Sequence, residues 1–141
     1  MKIIKFISWS EEYAYLSNFF PVKFSIEGKE WPSIEHYFQA QKTVDVNWQE
    51  RIRLSGSAKE ARRLGRQVPL VSLWAQKKVE VMRTGLKAKF EQNPELKEKL
   101  IATGNAVLIE DAPWDAFWGS GKNDTGKNML GQLLMEIRRV K

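Results

Sequence analysis

The sequence predicts a compact, single-domain α+β fold, predominantly helical with a small β-sheet or hairpin. Three observations predict it. Helix-start signatures recur at Ser33, Ser57 and Asn93-Pro94, each ahead of apolar residues at three- and four-residue spacing. Short β-branched and aromatic runs occur near the N-terminus and again at residues 106–109. A length of 141 residues suits one domain, taken as 1–141. Its six Trp, seven Phe and three Tyr can bury roughly 150–250 Å² each, enough for a core without disulfides.

In chain order, residues 2–9 are β-branched and aromatic and read as a short strand. Residues 13–20 end at Pro21 and read as an ordered loop. Residues 22–26 alternate, Glu27-Gly28-Lys29 turns the chain, and Glu30-Trp31 returns it as a hairpin. Pro32 and Ser33 then start a helix over 33–42. Ile34, Tyr37, Phe38 and Gln41 form its inward stripe, while Glu35, Gln39 and Lys42 form a second, polar stripe beside it. A short helix is expected over 48–54, closed near Gly56. Ser57 and Glu60 stand as a capping box for a helix carrying Arg62, Arg63 and Arg66. A longer helix begins near Ser72 with Val79, Met82, Leu86 and Phe90 as its core stripe. Asn93-Pro94 opens another, with Leu96, Leu100 and Ile101 facing inward until Gly104. Residues 106–109 read as a strand, 110–126 as a loop, and 127–140 as a final helix with Met129, Leu130, Leu133, Leu134 and Ile137 inward.

Composition narrows the function. With no cysteine there is no thiolate nucleophile, disulfide or cysteine-metal site, which fits a reducing compartment. The first residues are too short and interrupted for a signal peptide, and no run approaches membrane-spanning length, so a cytoplasmic protein without a membrane partner is expected. The balance of 23 basic against 17 acidic residues favours anionic partners such as phosphorylated small molecules or nucleic acid.

Two stretches carry the chemistry. The 33–42 helix sets Glu35, Gln39 and Lys42 in a row, bounded by Trp31, His36, Tyr37 and Phe38, as in a helix lining a cleft. Glu35 in the first turn also complements the helix dipole, and a lone histidine is often structural. The 110–126 loop combines Trp114, Phe117 and Trp118 with Gly119, Gly121 and Gly126, and it feeds a helix start at Lys127-Asn128 whose free N–H groups are a candidate anion site. Glu35 and Asp115 thus each sit amid aromatics, and the active cleft is expected between the 33–42 helix and this loop. Paired carboxylates among aromatics suit glycosyl transfer to water through an oxocarbenium-like state. Glu35 at a helix start favours its charged form. Asp115 between Trp114 and Trp118 is expected to favour its neutral, proton-donating form, although the two roles are interchangeable at this level.

These residues resemble the YbiA-like, or NADAR, family. The matching segments are Leu16-Ser17-Asn18-Phe19, the run from Gly28 through Trp31-Pro32-Ser33-Ile34-Glu35-His36-Tyr37-Phe38-Gln39-Ala40-Gln41-Lys42, and Ala58 to Arg66. Asp115-Ala116-Phe117-Trp118-Gly119-Ser120-Gly121 and Gly126-Lys127-Asn128-Met129-Leu130-Gly131 complete them. The resemblance implies a YbiA-like fold and hydrolysis of a C–N bond between ribose and a nitrogenous leaving group, with no metal or redox cofactor. Implied substrates are ribosylamino-pyrimidine phosphates of riboflavin biosynthesis. The alternative is an ADP-ribose or NAD module, processing or binding, in which nucleic acid enters only as an ADP-ribosylated substrate. It further implies Glu35 and Asp115 as catalytic carboxylates. Asn18, Lys42, Arg66, Trp118 and Asn128 are the substrate contacts it implies, and Trp31, His36, Gln39, Gly119 and Lys127 stand beside them as candidates.

Overall fold

The computed structural model of the protein describes residues 2–140. It separates into two compact units, one made of residues up to Ser17 together with those from Asn93 onward, the other of Asn18–Gln92. Each is an α+β arrangement around a two-stranded sheet. The two sheets are distinct: residues 107–110 pair with the N-terminal strand, and the hairpin forms a sheet of its own.

In the first unit, β1 (Ile3–Phe6) pairs in parallel with β4 (Val107–Glu110), Ile4 beside Leu108 and Phe6 beside Glu110. Helix α5 (Pro94–Ala102) opens with proline at its first turn, where a missing N–H costs nothing. Leu96 and Leu100 are buried, but Ile101, expected inward, is 49% exposed because it falls one residue outside the stripe. Helix α6 (Met129–Arg139) buries Leu130, Leu133, Leu134 and Ile137 and packs on β4. Gly131 permits that approach: a Cβ there would stand 2.0 Å from the Leu108 carbonyl oxygen.

In the second unit, β2 (Phe24–Ile26) and β3 (Lys29–Trp31) form the expected hairpin. Glu27 and Gly28 between them have φ of 52° and 79°, the mirror-image turn that matches strand twist. Helix α1 (Ile34–Ala40) is buried at every residue and packs against α2 (Val46–Arg53), α3 (Ala58–Gly65), α4 (Trp74–Glu91) and β3. The sequence expects one inward face, but this helix is enclosed on all sides.

The caps follow sequence unevenly. Ser33 accepts from His36 N and Ser57 from Glu60 N. The reciprocal half of the Ser57 box is absent, because Glu60 turns to Arg63. Helix α2 starts two residues earlier than expected, since Asp45 accepts from the Asn47 and Trp48 amides. Helix α4 is preceded by Leu73 in a left-handed conformation (φ 60°), not capped by Ser72. No helix among the described residues is long and apolar enough to cross a membrane.

Lys89 on α4 is wholly buried, its ammonium 5.8 Å from the Phe20 ring centroid and 5.3 Å from that of Phe90. Burial pushes its pKa down to about 7 from an ordinary 10.5. The unfolded chain then binds the proton that the folded chain gives up, so stability rises with pH above 7. Urea midpoints measured between pH 7 and about 9.5, below the ordinary tyrosine range, should rise in the wild type and flatten in Lys89→Met. Gly131→Ala should cost about 3 kcal/mol by the same melts, because the colliding atom is backbone.

Candidate functional site

The second unit assembles a polar cluster on the buried helix α1. Glu35 is 7% exposed, and its amide donates to the Asn18 carbonyl at 3.1 Å. One turn on, Gln39 Nε2 donates to Glu35 Oε1 at 2.7 Å. Lys42 follows just past the helix, its Nζ 6.0 Å from the Phe38 ring, and Phe38 in turn lies 5.2 Å from Trp74 of α4. The Lys42 backbone carbonyl accepts from Val71 N at 2.7 Å, which ties the α3–α4 connection to the end of α1.

Electrostatics links these groups. Burial pulls the Lys42 ammonium below its ordinary value. Glu35 opposes that shift, while Arg62, Arg66 and Lys78 add to it. Lys42 therefore feels one carboxylate from α1 and three cations, from α3, its C-terminal cap and α4. Arg62 also lies 5.9 Å from the Phe19 ring. Fourteen Lys and Arg against eight Asp and Glu fall within residues 18–92, so this unit carries the entire net charge of +6. Such a cluster can hold a phosphate and keep a carboxylate ionised beside it.

Four further candidates in this unit, His36, Trp31, Gln39 and Asn18, are buried. His36 is 2% exposed and both ring nitrogens are engaged, Nδ1 with the Ser33 hydroxyl at 2.7 Å and Nε2 with the Ser55 carbonyl at 3.1 Å. The Ser55 carbonyl requires a donating Nε2–H, so in the neutral ring the Ser33 hydroxyl donates to Nδ1. Burial lowers its pKa, with the Ser55 bond in opposition. His36 thus ties α1 to the end of α2. Trp31 is 3% exposed, paired with Phe24 and edge-on to Tyr37 at 5.3 Å, which makes it core. Gln39 Oε1 is sealed from solvent, and the other end of its carboxamide serves Glu35. Asn18 Oδ1 is sealed in the same way, leaving its backbone carbonyl on Glu35 N as its clearest contribution.

The first unit holds the glycine-rich loop, laced by its own backbone. Asp115 Oδ1 accepts from the amides of Phe117 at 3.0 Å and Trp118 at 2.9 Å. Trp114, expected as a desolvating wall beside Asp115, is 63% exposed. The anion site expected at Lys127-Asn128 is occupied by the chain itself. Lys127 N, Asn128 N, Met129 N and Leu130 N donate to the carbonyls of Ala116, Gly119, Phe117 and Trp118. The Lys127 ammonium lies 5.5 Å from the Phe117 ring, and Phe117 meets Trp118 edge-on at 4.8 Å.

Asn128, expected at the substrate, is committed to the sheet. Its Nδ2 donates to Leu108 O at 2.8 Å and its Oδ1 accepts from Glu110 N at 3.0 Å, so one side chain pairs with β4 like a short strand. Gly119 is a packing residue, for a Cβ there would lie 2.7 Å from Ala112 Cβ. Sequence reasoning missed Lys78 and Trp74. Their i, i+4 spacing on α4 was the available signal, masked by the ordinary core periodicity around it.

Comparison with known proteins agrees with this architecture. Residues 5–140 match the model of the NADAR domain. The N-glycosidase YbiA of Escherichia coli is 48% identical over 138 residues, covering 96% of this chain and 86% of that protein. A riboflavin biosynthesis protein of Vibrio vulnificus is 42% identical over 137 residues, covering 96% of this chain and 37% of its own. The NMR structure of E. coli YbiA matches with a TM-score of 0.89 at 47% identity, over 97% of this chain and 83% of that one. With the fold and nearly the whole sequence shared, the chain belongs to the NADAR family and is a homologue of the N-glycosidase YbiA.

Proposed function

We propose that this N-glycosidase homologue hydrolyses the bond between C1 of a phosphorylated ribose and a nitrogenous leaving group, with a ribosylamino-pyrimidine phosphate as the substrate class. The observation that carries the reading is Glu35, buried on α1, held by Gln39 and acting on Lys42, which Arg62, Arg66 and Lys78 also influence. A phosphate needs the cations, and an oxocarbenium-like transition state needs a fixed negative charge nearby. Relatives named for riboflavin biosynthesis support the choice of pyrimidine.

In this reading the Glu35 carboxylate stabilises positive charge developing at C1 and orients the attacking water. Lys42, Arg62, Arg66 and Lys78 bind the phosphate. The departing nitrogen takes up a proton, and water supplies hydroxyl to C1. Asp115 is the proposed second carboxylate, whose Oδ2, the oxygen that its loop leaves unbonded, takes the proton that the attacking water loses and passes it to the departing nitrogen. Trp118 is proposed as a contact for the flat base.

Release of free base from ribosylamino-pyrimidine 5′-phosphate tests the reading. Glu35→Gln should lower kcat by about 10²- to 10⁴-fold, and a wild-type rate in that variant would contradict it. Asp115→Asn, assayed in parallel, should fall in the same range if Asp115 supplies the proton. Arg66→Ala should raise KM about tenfold for the phosphorylated substrate and leave the dephosphorylated riboside unaffected, as expected for a charge-assisted phosphate contact.

A further inference from the structure

We propose that Gly65 is a positioning residue for the reaction: the space left by its missing side chain holds Gln39 in the orientation that aims an amide N–H at Glu35. This rests on the reading of Glu35 as the reacting carboxylate. Gly65 lies at the end of α3, buried, with an ordinary φ that any residue could adopt. Glycine is a poor helix former, so backbone conformation gives no reason for it there. Space does. A Cβ at this position would stand 2.0 Å from Gln39 Oε1, 2.7 Å from its Cδ and 3.0 Å from its Cβ.

The orientation of Gln39 follows from chemistry. Its atom at 2.7 Å from Glu35 Oε1 must be the nitrogen, because two acceptors would repel at that distance. That choice turns Oε1 toward Gly65, where it is buried and has no partner. An unpartnered buried oxygen is unfavourable, and the arrangement persists because the alternative would break the bond to Glu35. Crowding Oε1 would rotate or withdraw the carboxamide, so Glu35 would lose its donor while Lys42, Arg62, Arg66 and Lys78 stayed in place. Turnover should then suffer more than binding.

The test compares Gly65→Ala, Gln39→Met, their combination and Glu35→Gln, each first checked by thermal melting. We expect kcat to fall by about 10- to 100-fold in Gly65→Ala and in Gln39→Met, with KM within about threefold of wild type. The double variant should be no worse than either single one. In wild type the Gln39 side-chain amide should give a downfield, slowly exchanging NMR resonance that Gly65→Ala loses. Wild-type kcat in either single variant, or losses that multiply in the double, would overturn the inference. Should Gly65→Ala fail to fold, Gln39→Met decides alone. If Glu35→Gln is inactive while Gln39→Met is unimpaired, only this inference falls. If Glu35→Gln keeps its rate, the underlying reading falls with it.

Discussion

The hydrogen bond from Gln39 to Glu35 inside a fully buried helix is the interaction on which the second unit is built. Seven residues are too few for a helix to persist by itself, so α1 exists through what surrounds it. Its polar groups must therefore find partners within reach of the same packing. Ser33, His36 and Ser55 satisfy one another at one end, and the Asn18 carbonyl takes the Glu35 amide. Gln39 takes the carboxylate, and Glu35 in turn favours the charged form of Lys42. Close approach of α4 depends on Gly85, where a Cβ would come within 3.0 Å of the Tyr37 ring. Small residues on the outer helices and polar residues on the inner one are two sides of the same constraint.

The two units divide the electrostatics unevenly. Residues 18–92 hold the whole net positive charge, whereas the remainder balances nine basic residues against nine acidic ones. Anions are thus drawn more strongly to the unit that presents Glu35. The glycine-rich loop of the other unit spends its polarity on itself. Asp115 fastens two amides, Asn128 completes the edge of β4, and the start of α6 is closed by loop carbonyls.

Much of the fold was legible because its signals are local. Ser33, Ser57 and Asn93-Pro94 mark helix starts through short-range bonds, and Glu27-Gly28 marks the hairpin through backbone geometry alone. The Asp45 cap and the left-handed Leu73 were not legible, the first because the helix pattern after it is weak, the second because leucine does not advertise that conformation. The parallel pairing of β1 with β4 joins residues about a hundred positions apart, beyond the reach of periodicity. For the site, spacing brought Glu35, Gln39 and Lys42 together on one helix. It did not show that Gln39 faces inward, that His36 is saturated, or that the amides near Lys127 are taken, since each depends on a partner distant in sequence.

The central claim is that Glu35 and Lys42 belong to one electrostatic cluster in which the carboxylate sustains the ammonium's charge. Nitrogen-15 NMR titration of Lys42 Nζ, in wild type and in Glu35→Gln, tests it most directly. Neutralising Glu35 should lower the Lys42 pKa further below its ordinary 10.5, because Arg62, Arg66 and Lys78 would then act unopposed. An unchanged or raised Lys42 pKa in that variant would contradict the account.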